Sequence, residues 1–156
     1  MSAVSVYPVE PMAKPRMTKR DAYIMRRLVN RQRLKPEWVK RGALLAKWLA
    51  FKDEVRLRRI EIDANCFYHL IFCIPTPRSA PGRAWQPHQI TPDKDNLEKA
   101  LLDAMFTQDR EVWDGRVSKV WAPVGAIIVI SFNVELSQPI LEGMLREAMP
   151  WAETST

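Results

Sequence analysis

The chain has 156 residues and a mass of 18.1 kDa, which suits one domain burying roughly 70% of its unfolded surface. A hydrophobic share of 47% with 27% charged residues excludes wholesale disorder. Net charge is +6, but residues 14–41 hold eleven Lys or Arg against Asp21 and Glu37, so that segment carries +9 and the rest −3.

A basic arm on a mildly acidic body is the distribution of a protein that meets a polyanion, with a merely solubilising surface as the competing reading. The longest apolar run, Trp121 to Phe132, falls short of the about 20 residues a membrane helix needs. The opening MSAVSVYPVE lacks the pattern of a signal peptide, so a soluble, cytosolic-type domain is expected. Cys66 and Cys73, seven apart on one expected strand, lie roughly 23 Å apart at about 3.3 Å per residue. They cannot form a disulfide and are expected as buried thiols, with no histidine at zinc-ligand spacing.

In chain order, Val4 to Val9 reads as an edge strand, where Pro8 is tolerable. Pro11 to Thr18 is a basic loop. Thr18, three residues before Asp21, is placed to cap a helix running to about Arg33. Leu44, Trp48, Phe51 and Val55 recur at helical spacing and predict an amphipathic helix from Gly42 to Arg58. Ile60 to Ile74 predicts a central strand covered on both faces, with His69 a hydrogen-bonded core histidine. Pro75 to Pro87 is a proline-rich surface loop carrying Arg78, Arg83 and Trp85. A helix is expected from Asp95 as N-cap, with Leu97, Leu101, Ala104 and Met105 facing the core. Strands at Arg116 to Trp121 and Ala126 to Phe132 read as a hairpin, and Pro139 to Met149 as a last amphipathic helix. The sum is a single α+β layered domain over residues 1–156, a mixed β-sheet packed against helices.

Chemistry concentrates ahead of the third helix. In an extended segment Asp93 and Asp95 point to one side, and two such carboxylates suit a hard divalent ion such as Mg²⁺ or Mn²⁺. The plainer reading is a cap and a solvated neighbour. Lys99 and Asp103 follow Asp95 at four-residue steps on one helix row. Lys99 can meet a phosphate oxygen, or simply pair with Asp103, which otherwise reads as support for the site. Asp114, at a turn leading into a strand, is the candidate third carboxylate, with Asp109 and Glu111 as rivals.

The run Pro92-Asp93-Lys94-Asp95-Asn96-Leu97-Glu98-Lys99-Ala100-Leu101-Leu102-Asp103-Ala104, followed by Trp113-Asp114 and a strand, resembles the RusA family of Holliday-junction resolvases. Pro11-Met12-Ala13-Lys14-Pro15-Arg16 is similar to the strand-to-loop passage of its phage members. The resemblance implies a RusA-like fold, with Asp93, Asp95 and Asp114 as ligands of one or two Mg²⁺ ions, Mn²⁺ as a substitute, and Lys99 as the catalytic lysine. It further implies a homodimer that resolves four-way DNA junctions by paired symmetric nicks, in the cytoplasm of a bacterium or of a phage-infected cell. Trp113-Asp114 stands where members often carry two adjacent acids, and Gly115-Arg116 replaces a small-polar pair. Lys14, Arg16, Lys19, Arg20, Arg26 and Arg27 are the expected DNA-backbone contacts, aided by Arg78 and Arg83, with Trp85 stacking on unpaired bases. The alternatives are a non-enzymatic nucleic-acid-binding module and a metal nuclease with broader taste in branched DNA.

Overall fold

The computed structural model describes residues 2–62, 67–106 and 115–132. Among these residues three α-helices and a four-stranded mixed sheet form an α+β arrangement. The strands are β1 (Ser2–Tyr7), β2 (Phe67–Pro75), β3 (Gly115–Ala122) and β4 (Ala126–Phe132), and the helices are α1 (Lys19–Val29), α2 (Val39–Leu57) and α3 (Lys94–Met105). The sheet order is β1-β4-β2-β3. β2 pairs with β3 in parallel and with β4 antiparallel, and β1 closes the far edge antiparallel to β4.

That order corrects the expected hairpin. β3 and β4 are joined by a short turn but lie on opposite sides of β2. The chain leaves β2, crosses over through α3 and returns parallel to it as β3, so β4 must pair with the other side of β2. β2 is central, as its composition predicts, but shorter than expected: Ile60 and Ile62 are buried without belonging to a strand. Its burial is also uneven between the two faces. Tyr68, Leu70 and Phe72 are buried in the core, whereas Phe67, His69 and Ile71 are half-buried. Cys73 is buried with a free thiol, raised in pKa by that burial, and His69 Nε2 lies 2.9 Å from the Ser118 hydroxyl. Cys66 and the expected helix at Pro139 to Met149 lie outside the described residues.

α2 buries Leu45, Trp48, Phe51 and Val55. Leu45 takes the place expected of Leu44, which is half-exposed, because the first half of α2 packs against α1 as well as α3. α3 buries Leu97, Ala100, Leu101 and Ala104 in one cluster with Leu70, Phe72, Ile127 and Val129 of the sheet. No helix among the described residues is long and apolar enough to cross a membrane.

α1 begins where the sequence predicts. Thr18 is its N-cap and Asp21 reaches back to it, accepting the Thr18 N–H at 2.7 Å and its hydroxyl at 3.0 Å. The helix ends at Val29, earlier than Arg33, where the chain turns through Arg31 with φ 53°. Asp21 is almost wholly buried, at 1% exposure, and Arg41 of α2 grips it with two nitrogens, Nε at 2.8 Å and Nη2 at 2.6 Å. Arg41 Nη2 also donates to the Arg16 carbonyl at 2.6 Å. One ion pair thus ties α1, α2 and the basic loop together. The hydrogen bonds from Arg41 outweigh burial and hold the Asp21 carboxyl far below the usual carboxylate range.

A buried carboxylate that loses its partner is costly, so Arg41→Met should destabilise the fold by about 3 kcal/mol. Because the folded-state pKa of Asp21 is depressed, its contribution is present above the ordinary value of about 3.9 and fades as pH falls below it. Urea melts of wild type and Arg41→Met at neutral pH and near pH 3 check both points: the gap between the two proteins should narrow in acid.

Candidate active site

The N-cap of α3 lies two residues earlier than the sequence predicts. Asp93, extended at φ −69° and ψ 148°, is the N-cap, and its carbonyl accepts the Leu97 N–H at 3.1 Å. Asp95 therefore sits inside the first helical turn and is not the cap. Either aspartate is a competent cap, but the chain is held extended up to Asp93 by Lys119. From the helix-facing side of β3, the Lys119 ammonium donates to the carbonyls of Ile90 at 2.5 Å and Pro92 at 2.6 Å. Asp93 and Asp95 thus stand on either side of a corner between extended chain and helix, not along one side of an extended segment.

Asp93 and Asp95 are both exposed, and neither carboxylate makes a hydrogen bond or ion pair among the described residues. Two uncommitted carboxylates two residues apart are donors of the type a hard divalent cation takes. Lys99, four residues after Asp95 on the same helix row, is likewise exposed and without a carboxylate partner among the described residues. It does not pair with Asp103. Asp103 instead forms an ion pair with Lys14, fastening the basic loop to α3. Asp103 thus positions that loop and leaves Lys99 available. Asp114 and its rivals Asp109 and Glu111 fall outside the described residues, and no cluster of three potential metal ligands occurs among the described ones.

Two residues that the sequence reading passed over fix α3 on the sheet. Tyr68 of β2 is buried, and its hydroxyl donates to Glu98 Oε1 at 2.7 Å, three residues after Asp95. Beside it in the register stands Gly115, the residue after Asp114. A Cβ on Gly115 would overlap the Tyr68 ring, so only glycine lets the chain pass there. Lys119 carries no signal of its own in the sequence, since Arg116 and Ser118 make β3 a mixed strand. Beneath it His88 is buried, its ring tilted against Trp121 at 4.2 Å, and its pKa is lowered first by burial and then by Lys119.

The cations expected to face DNA divide into two sets. Lys14 is engaged with Asp103, and Arg27 is turned inward, donating to the Arg33 carbonyl at 2.6 and 3.1 Å and to the Tyr23 hydroxyl at 3.2 Å. Arg16, Lys19, Arg20 and Arg26 have exposed side chains with no carboxylate partner among the described residues. Arg78 and Arg83 are exposed on the proline-rich loop, which contains one turn of 3₁₀ helix at Pro81–Arg83. Trp85 is 70% exposed with φ 69°, its backbone held to β3 by N–H donation to the Trp121 carbonyl at 2.7 Å. It does not fold back onto the core.

A layered α+β sheet with a carboxylate-bearing helix start is the framework on which comparison with known proteins bears. The family model for the endodeoxyribonuclease RusA matches residues 8–131, most of the chain and all of Asp93, Asp95, Lys99 and Asp114. The chain belongs to the RusA endodeoxyribonuclease family, and that membership carries endodeoxyribonuclease activity on Holliday junctions. No curated protein matches it.

Lys119→Met removes both donors that hold the loop ahead of Asp93. Amide exchange at residues 90–95 should accelerate at least several-fold, while the melting temperature falls by only a few degrees, the response to a loss of about 1 kcal/mol. Hydrogen-exchange mass spectrometry on wild type and variant checks it.

Proposed function

We propose that this protein is a Mg²⁺-dependent, structure-selective endonuclease that resolves four-way junctions by paired symmetric nicks, acting as a homodimer in recombination and repair. The observation that carries the reading is the corner at the start of α3, where Asp93 and Asp95 are both uncommitted and Lys99 stands one turn further on, inside the matched family span. Asp93, Asp95 and Asp114 would hold the metal. When bound, Mg²⁺ (or Mn²⁺ in its place) supplies Lewis-acid polarisation of the phosphate and a more acidic water. What favours Asp114 as the third ligand is its neighbour: Gly115 stands against Tyr68, which bonds Glu98 on the helix that carries Asp95. Lys99 meets a phosphate oxygen and offsets charge that builds in the transition state.

Arg16, Lys19, Arg20 and Arg26 contact backbone phosphates, with Lys14 and Arg27 serving mainly to shape the surface they stand on. Trp85, projecting from the loop that leads to Asp93, stacks on bases exposed where strands exchange. A twofold dimer places two such centres symmetrically on a pseudo-twofold junction.

Asp95→Asn should lower Mg²⁺-dependent junction cleavage by at least about 100-fold, or ~2.7 kcal/mol of transition-state stabilisation, and leave junction affinity equal or higher. Gel cleavage and binding assays on one four-way junction read both. Absence of Mg²⁺-dependent nicking in the wild type would favour a non-enzymatic binding module. Equal rates on four-way, three-way and linear duplexes would make it a nuclease of broader specificity.

A further inference from the structure

A groove of about 720 Å³ opens between α1, α2 and the C-terminal end of α3. Its floor is apolar, with exposed Val29, partly exposed Met17 and Met25, buried Trp48, and Phe106 beyond α3. Its rim carries Lys14, Arg26, Lys52 and Arg56 against one acid, Asp103, which Lys14 already neutralises. Arg26, Lys52 and Arg56 have no carboxylate partner among the described residues; Lys52 lies over the Trp48 ring at 5.9 Å. A smaller recess lined by Asn96 and Lys99 shares Lys14 and Met17 with the groove, so the two run together toward the start of α3.

We infer that this groove holds a short segment of single-stranded DNA, with bases against the methionines and Phe106 and phosphates along the rim. Net positive charge selects a polyanion. The apolar floor selects among polyanions, because a duplex hides the faces of its bases and only unpaired bases can lie flat on such a surface. The continuation of the groove to Lys99 fits an extended strand better than a free nucleotide. The placement rests on the nuclease reading only for its direction; the groove's affinity for single strands stands apart from cleavage. A partner protein is the competing occupant, since methionine-lined grooves also suit peptides.

The test uses a thymidine oligonucleotide of about ten residues in metal-free buffer, with methyl-¹³C-methionine NMR and fluorescence anisotropy. The Met17, Met25 and Met105 methyl signals should shift on titration while Met12 stays in place. The double variant Lys52→Glu/Arg56→Glu, on the solvent side of α2, should bind the oligonucleotide at least tenfold more weakly. Each of the two cations neutralises one phosphate, worth about 0.7 in the slope of log affinity against log salt, so that slope should fall by about 1.4 in the variant. Its melting temperature should stay near wild type, so that weaker binding does not reflect a loss of fold. Unmoved methionine signals, or undiminished affinity in the variant, overturn the inference and leave the groove to a protein partner or to packing. Wild type that binds the oligonucleotide through these methyls yet cuts no junction would instead defeat the nuclease reading and leave the groove assignment intact.

Discussion

The geometry of the candidate centre depends on how α3 is held against the sheet. Burial of Leu97, Ala100 and Leu101 supplies the adhesion, but apolar contact alone tolerates sliding and rotation. The Tyr68–Glu98 hydrogen bond removes that freedom at one turn beyond Asp95, and the Lys119 clamp removes it just before Asp93. Both anchors rise from neighbouring strands, β2 and β3, which are themselves locked in parallel register. Carboxylates that must share one ion have to be positioned to a fraction of an ångström, and side chains on an anchored helix achieve this better than side chains on a free loop.

Charge in the basic segment is used in two ways. Arg41 and Lys14 neutralise Asp21 and Asp103 and thereby convert a +9 stretch of chain into a folded layer of two helices and a strapped loop. Arg27 likewise folds back on backbone carbonyl. What remains outward is a smaller set of exposed cations, among them Arg16, Lys19, Arg20 and Arg26. A fully disordered arm of the same composition would have to lose its conformational entropy on binding.

Local patterns in the sequence are legible where local physics decides the outcome. The Thr18–Asp21 cap and the α2 and α3 stripes follow from spacing within a few residues, whereas β1 takes the expected edge but spans Ser2–Tyr7, ending before the Pro8 that suggested it. The strand order is not legible in the same way. Three turn residues between β3 and β4 look like a hairpin, and only the long-range parallel pairing of β2 with β3 separates them. The fate of Asp103 shows the same limit: helix spacing offers Lys99 as its partner, whereas the folded chain brings Lys14 from nearly ninety positions away. The motif around Asp93, Asp95 and Lys99 is dense enough to identify the family, but Tyr68, Gly115 and Lys119 carry no pattern of their own. Their importance exists only once the strands are paired.

The central claim is that Asp93, Asp95 and Asp114 close around one shared divalent ion. Loading the protein with Fe²⁺ in place of Mg²⁺ and adding ascorbate and peroxide generates hydroxyl radicals at the bound metal, which cut the nearest polypeptide. Mass spectrometry of the fragments should show two cleavage clusters, one at residues 93–95 and one at 113–115, both suppressed by excess Mg²⁺. Cutting at the first cluster alone, or cutting that Mg²⁺ leaves unchanged, would contradict the account.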